Sequence, residues 1–176
     1  MYKRVATGPE WLEVGVLDLY SVSGCISKNF VEYIDYWRHN GYWLFDSPDV
    51  MEEIAAAEGV DLAGMTLFYY EAYEHEFDDE SNQWLPFDLE RSFVTNVSVP
   101  TEKHLAGFDV ATFSMGGPPE CSPLSCNALA EEIPVNEHCL FDTFDEAKTA
   151  LDSGLFRNTE PGPHRIFAVY AITRDA

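Results

Sequence analysis

Basic residues are scarce in this chain of 176 residues. Ten lysines and arginines stand against thirty-one aspartates and glutamates, which gives a formal net charge of −21. Between His39 and Glu90 there are fourteen acidic residues and no lysine or arginine. Direct binding to DNA or RNA requires basic groups that displace counterions from the phosphates. We therefore expect no direct nucleic-acid ligand.

Long apolar runs and the common catalytic motifs are also missing. No stretch of eighteen consecutive apolar residues occurs, so we expect no membrane-spanning helix. Lys3 and Arg4 are not followed by an apolar run, so we expect no signal peptide and a cytoplasmic location. The motifs GxxxxGK[ST], GxGxxG, GxSxG and HExxH are absent, which counts against the common nucleotide-binding and hydrolase classes. We expect no cofactor.

Cysteine is rare, and its spacing is poor for a metal site. A chain with 46% hydrophobic residues can bury a core without disulfides, so we expect Cys25, Cys121, Cys126 and Cys139 to be reduced and mostly buried. Cys121, Cys126 and His138 are the nearest candidates for a metal site, but structural zinc usually takes closer CxxC pairs. We expect no metal and no catalytic residue here. The alternative is a small thiol- or zinc-dependent enzyme that uses the Cys121–Cys126 loop together with His138 or His164.

A ten-residue segment occurs twice in similar form. "NGYWLFDSPD" covers residues 40–49, and "NEHCLFDTFD" covers residues 136–145. Upstream, "LDLYSVS" parallels "FDVATFS", and downstream, "TLFYYEAY" parallels "RIFAVYAI", with the composition and alternation of strands. We predict a single domain over residues 1–176 of α/β (α+β) class. Two β-α-β-α-β units, 11–77 and 105–173, would pack as similar lobes joined by an acidic connector at 78–104.

Helix signals surround the repeated segments. Ser47, Pro48 and Gly59 predict a helix start and stop after the first "LFD", and Thr143 with Glu146 predicts a capping box after the second. Each "LFD" itself is predicted to be a buried strand that runs into the helix cap. Further predictions are a helix over "SKNFVEYIDYWRHNG", a short helix capped by Ser125 and halted by Pro134, a helix stop at Gly154, and an additional strand at "FVTNVSV".

The sequence also offers a candidate surface for a protein partner. Clustered carboxylates could hold a metal ion, but the run "EAYEHEFDDE" matches no EF-hand spacing, and an ordinary charged strand end and turn explains it as well. Carboxylates steer a basic partner, and exposed tyrosines contribute contact energy. On this reading, the candidate partner-binding residues are Glu71, Glu74, Glu76, Asp78, Asp79, Glu80, Tyr33 and Tyr36.

One segment resembles a known class of proteins. "VLDLYSVSGCISKNFVEYIDY", from Val16 to Tyr36, is similar in type to segments of the small acidic immunity proteins of bacterial polymorphic toxin systems. The resemblance implies inhibition by binding a partner. We therefore expect a binding protein that neutralises a basic protein such as a nuclease toxin. A structural module that dimerises through a sheet edge is a further alternative.

Overall fold

A computed structural model of the chain describes residues 2–4, 44–63, 65–87, 97–112, 122–126, 128–160 and 162–173. The predicted strand at 17–23 and the predicted helix at 27–41 lie outside these residues. The described elements, in chain order, are β1 (Tyr2–Arg4), α1 (Pro48–Glu58), β2 (Leu67–Asp78), β3 (Gln83–Pro86), β4 (Lys103–Thr112), α2 (Pro123–Cys126), a 3-10 turn (Leu129–Glu131), α3 (Phe144–Asp152) and β5 (His164–Ile172).

The strands form one antiparallel sheet in the order β1-β2-β5-β4. The long strand β2 pairs with β5 along one edge, whereas β1 and β3 pair with opposite ends of its other edge. An antiparallel sheet with helices is an α+β arrangement, so the coarse fold class is confirmed. No helix in the described part of the chain is long and apolar enough to cross a membrane.

Helices α1 and α3 pack on the same face of the sheet. Met51 and Ile54 of α1 share a buried cluster with Leu67 and Tyr69. Leu151 of α3 shares another with residues of β2, β4 and β5, namely Phe77, Val110 and Ile166. Side chains alternate between the two faces of a strand, and the register places all these strand residues on one face. Between the two helices lies a strip of this sheet face that no helix among the described residues covers.

The helix termini form where the sequence predicts them. Ser47 is the N-cap of α1, with Pro48 at the first helical position and Gly59 in the left-handed conformation at its end. At α3, the Glu146 amide donates to Thr143 Oγ1 at 3.2 Å, and the Thr143 amide donates to Glu146 Oε2 at 3.0 Å. Both caps are confirmed, and Gly154 (φ +77°) follows the end of α3 as predicted.

The predicted "LFD" strands are shorter than expected. Phe45 and Phe141 each form a single bridge, and the Phe141 bridge joins Phe108 of β4 through amide-to-carbonyl bonds of 2.9 and 3.0 Å. Neither strand can continue towards the C-terminus, because the helix N-cap follows two residues after the Phe. The prediction that the Leu and Phe of both segments are buried is confirmed.

One further prediction was wrong, and another, the strand at 93–99, is described only at residues 97–99. Ser125 is not an N-cap; it lies inside α2, which begins at Pro123, a residue suited to the first helical position. Ala128 adopts φ +57° and breaks the helix, so only the separate 3-10 turn follows before Pro134. In "FVTNVSV", the described residues 97–99 form no strand. Val97 packs instead against the buried cluster beneath α1.

Candidate functional site

Three of the predicted partner-binding carboxylates contact other residues of the same chain. Glu71 forms an ion pair with Lys103. Glu76 Oε2 lies 3.7 Å from Arg165 Nη2, and Asp79 Oδ2 lies 2.6 Å from His164 Nδ1. These contacts connect β2 and the turn after it to β4 and β5. The sequence could not reveal them because the partners are distant along the chain.

Asp78 organises the turn between β2 and β3. Its Oδ2 accepts a hydrogen bond from Ser81 Oγ at 2.6 Å, and its Oδ1 accepts one from the Glu80 amide at 3.1 Å. The bonds from Ser81 and Glu80 lower the pKa of Asp78 below its ordinary value, because they stabilise the carboxylate. Glu80 and Glu74 are exposed, and the Glu74 side chain is 81% accessible. Tyr33 and Tyr36 lie outside the described residues.

A small cleft lies on the strip of sheet between α1 and α3. It has a volume of about 180 Å³. Glu71 and Ala168 are paired across β2 and β5, and Phe108 of β4 pairs with Ala168 on the other side. The full lining is Glu71, Ala72, Tyr73, Phe108, Phe144, Ile166 and Ala168. The lining is mostly apolar with one carboxylate, but the volume lies below the range of about 300–1,000 Å³ that is usual for small-molecule sites, so only a small group could enter.

Glu71 also belongs to a cluster of one cation and two tyrosines. Lys103 Nζ lies 4.2 Å from the ring centroid of Tyr170 and 5.0 Å from that of Tyr69. Burial, together with the negative charge of Glu71, raises the pKa of Tyr170 above its ordinary value. The side of the cleft next to α1 therefore already holds an ammonium group against a carboxylate and aromatic rings.

A second concavity lies beside α3 and has a volume of about 460 Å³. Ile133, Phe141 and Leu155 contribute apolar surface, and Asp145 and Glu146 from the first turn of α3 contribute carboxylates. The Glu146 carboxylate accepts the capping bond from Thr143, so it is already used in stabilising the helix.

The candidate metal and thiol residues lie only in part within the described residues. Cys121 lies outside the described residues, Cys126 ends α2, and His138 lies in the turn before the second "LFD". Within the part of the chain that the structure describes, no group of three or more His, Cys, Asp or Glu could hold a metal ion. Cys139 is buried as predicted, and burial with the nearby Asp109 raises its pKa to about 11. A thiol in that state is a poor nucleophile at neutral pH.

His164 has the partners of a catalytic histidine but not their geometry. Thr159 Oγ1 lies 3.5 Å from His164 Nε2, and Asp79 lies on the other side of the ring. However, the Thr159 hydroxyl donates to the Phe156 carbonyl at 2.7 Å, and His164 is completely buried. This arrangement stabilises the turn after α3 and leaves no access for a substrate.

No sequence pattern marks Lys103, Tyr170 or Phe144 as site residues. Only the strand register, which brings β4 and β2 to opposite sides of β5, places Lys103 near Glu71. Comparisons of the chain with protein-family models, with curated proteins and with solved structures find no match.

Proposed function

We propose that this chain is an acidic cytoplasmic binding protein that inhibits a basic protein partner by covering its positively charged surface. The observation that carries the proposal is that the few lysines and arginines that the structure describes are paired within the chain itself. Lys103, Lys148 and Arg165 each lie beside a carboxylate, and Arg157 donates to Asn82. These are the lysines and arginines whose side chains the structure describes. With thirty-one carboxylates against ten lysines and arginines in the sequence, an excess of negative charge remains whatever the pairing.

We place the contact surface on exposed carboxylates, a choice that differs in part from the sequence prediction. Glu76 and Asp79 have partners within the chain, so they are less free to attract another protein, whereas Glu71 lines a cleft beside its partner Lys103. Exposed carboxylates lie instead on α1, at Asp49, Glu53 and Glu58, and on the β2–β3 segment, at Glu74 and Glu80. A surface of one sign speeds the encounter with a partner of the opposite sign.

Two features support an internally duplicated origin for this fold, as part of the same proposal. Each "LFD" is followed by an N-cap and a helix, and both helices pack on the same sheet face. The repeat alignment equates Tyr70 with Val169, and these two residues are direct partners between β2 and β5. A twofold relation through this pair would bring the two units together at the centre of the sheet. The type-level resemblance to immunity proteins, carried by residues 16–36, agrees with an inhibitor.

The test is affinity capture from native lysate at about 50 mM and about 200 mM salt, a range over which polyelectrolyte contacts weaken strongly. We expect one basic protein in near-equal amount at low salt, with much less at high salt. A double variant, Glu53→Gln with Glu58→Gln, should lower the association rate with the captured protein. The matched control, Glu131→Gln with Glu132→Gln, makes the same change of charge at two exposed positions in the 3-10 turn region.

If the partner associates with both double variants at the same rate, the contact surface does not lie on α1. An empty capture at both salt concentrations, or an association rate that does not depend on ionic strength, would contradict the proposal itself.

A further inference from the structure

We propose that the cleft between α1 and α3 binds a guanidinium group, namely the side chain of one arginine on the basic partner. This inference rests on the proposed function and specifies the contact. The carboxylate of Glu71 and the aromatic walls of the cleft carry it. Glu71 is the one carboxylate in the lining.

The chain itself shows that this place stabilises a cation. Lys103 Nζ contacts the Glu71 carboxylate while lying over the rings of Tyr170 and Tyr69. A cation over an aromatic ring gains from the negative ring face, and more so when it is partly shielded from water. About a fifth of the Lys103 side chain, 22%, remains accessible. Lys103 contacts one carboxylate oxygen of Glu71, Oε1, and does not itself line the cleft.

The walls of the cleft suit a flat cation. The rings of Tyr73 and Phe144 meet edge to face with centroids 4.8 Å apart, and those of Phe108 and Phe144 do so at 6.1 Å. All three rings are only partly buried, so ring surface remains accessible. A planar guanidinium stacks on such surfaces and can bond a carboxylate with two N–H groups, whereas an ammonium is a strongly hydrated point charge. The geometry therefore favours arginine over lysine.

The size of the cleft limits what can enter. Its volume of about 180 Å³ corresponds to about six water molecules at roughly 30 Å³ each. The floor is low because Ala168 has a small side chain that pairs with Glu71 on one side and Phe108 on the other. One side-chain head group fits this space, but a folded domain or a large cofactor does not. Net charge and Glu71 together disfavour an anionic ligand.

The experiment uses a chemical probe, so it does not depend on finding the partner. Nα-acetyl-arginine amide is titrated into the ¹⁵N-labelled full chain, and amide shifts are followed by NMR. Nα-acetyl-citrulline amide, which has nearly the same shape without the charge, is the matched ligand control. We expect shifts centred on Glu71, Phe144 and Ala168, and binding of citrulline at least about tenfold weaker, because the charge-assisted bonds are lost.

Four variants distinguish the effect of the Glu71 charge from the effect of the space in the cleft. Glu71→Gln should weaken arginine binding about tenfold, whereas Glu74→Gln, at an exposed position on the same strand, should leave it unchanged. Ala168→Leu should block binding by filling the floor, without changing any charge. Lys103→Met should tighten binding, since the competing ammonium is removed from Glu71. A purely structural role of Glu71 would not produce this last effect.

Equal binding of citrulline and arginine, shifts that cluster away from Glu71, or unchanged affinity in both Glu71→Gln and Ala168→Leu would overturn the inference. Circular dichroism shows whether Glu71→Gln and Ala168→Leu are folded. If one of them is not, the affinity of the other tests the inference. The outcome is distinct from that of the capture experiment. If arginine binds but no partner is captured, the cleft is an arginine site and the proposed inhibitor function is wrong. If a partner is captured and Glu71→Gln does not change its affinity, the proposed function holds and the cleft is not the contact.

Discussion

His164 is buried next to a carboxylate, and this combination makes the stability of the protein depend on pH. Burial lowers the pKa of His164 below its ordinary value of 6.5, and Asp79 opposes this effect without cancelling it. The opposing contact is between Asp79 Oδ2 and His164 Nδ1, which lie 2.6 Å apart. In the unfolded chain the ring regains its ordinary pKa and binds a proton more readily.

The unfolded state therefore binds more protons than the folded state just below pH 6.5. We expect the contribution of His164 to be fully present above pH 6.5 and to be lost as the pH falls below 6.5, by at most about 1.4 kcal/mol per pH unit. Urea unfolding of the wild type and of His164→Gln at several pH values measures it. The stability difference between the two proteins should shrink on acidification.

His75→Gln is the control, because His75 is partly exposed and stacks on Tyr73 at 5.3 Å instead of being enclosed. A difference between wild type and His164→Gln that stays constant or grows towards pH 5 would show that the folded protein binds this proton more tightly than the unfolded chain.

Local signals were predicted well, and contacts across the sheet were not. Ser47 and Thr143 cap their helices through residues at most three positions away, so sequence spacing is sufficient to predict them. The partner of Glu71 lies thirty-two residues away, and the strand register alone brings Lys103 to it. For this reason the acidic run could be recognised as charged, but its division into paired and exposed carboxylates could not be predicted.

At the scale of elements, an irregularity in β4 allows the turn at residues 136–141 to pack against that strand. Asn136 Oδ1 accepts from the amides of His138 and Leu140, and its Nδ2 donates to the Ala106 carbonyl at 2.8 Å. The β4–β5 register shifts between Leu105 and Gly107. The asparagine shared by the two repeated decapeptides thus has, in the second copy, a clear role in tying the turn to β4.

Gly107 should not tolerate a side chain. Its φ is +148°, and a Cβ there would lie 2.7 Å from both Leu140 Cβ and the Phe141 carbonyl oxygen. We expect Gly107→Ala to lower the free energy of unfolding by at least about 2 kcal/mol, from backbone strain and overpacking together. Chemical denaturation monitored by Trp fluorescence measures this loss.

Gly162→Ala separates the two causes. Gly162 also has a positive φ, +119°, but a Cβ there would meet no atom within 4 Å. This variant should lose only the strain component, about 1 kcal/mol. Equal losses in the two variants would mean that the turn moves aside and that its contact with β4 is not tightly packed.

At the scale of the whole molecule, the excess negative charge should destabilise the folded state at low salt. A formal charge of −21 on a chain of 176 residues makes the compact state repel itself. The ion pairs Lys103–Glu71 and Lys148–Asp152 act over contact distances, whereas the repulsion adds up over the entire surface. Screening at about 100 mM salt, where the Debye length falls to about 10 Å from about 30 Å at 10 mM, removes mainly the long-range repulsion.

We therefore expect the Tm to rise between about 10 and 100 mM NaCl, by roughly 2–4 °C for each kcal/mol of repulsion that is screened. Differential scanning calorimetry with NaCl and KCl in parallel separates screening from an effect of one ion. The variant Glu53→Gln with Glu58→Gln should show a smaller rise, because it starts with less negative charge. Lys148→Gln should show a larger one, since it removes a cation. A Tm that falls with added salt would mean that the internal ion pairs outweigh the surface repulsion. The electrostatic attraction of the acidic surface for a basic partner would then be much weaker than the formal charge implies.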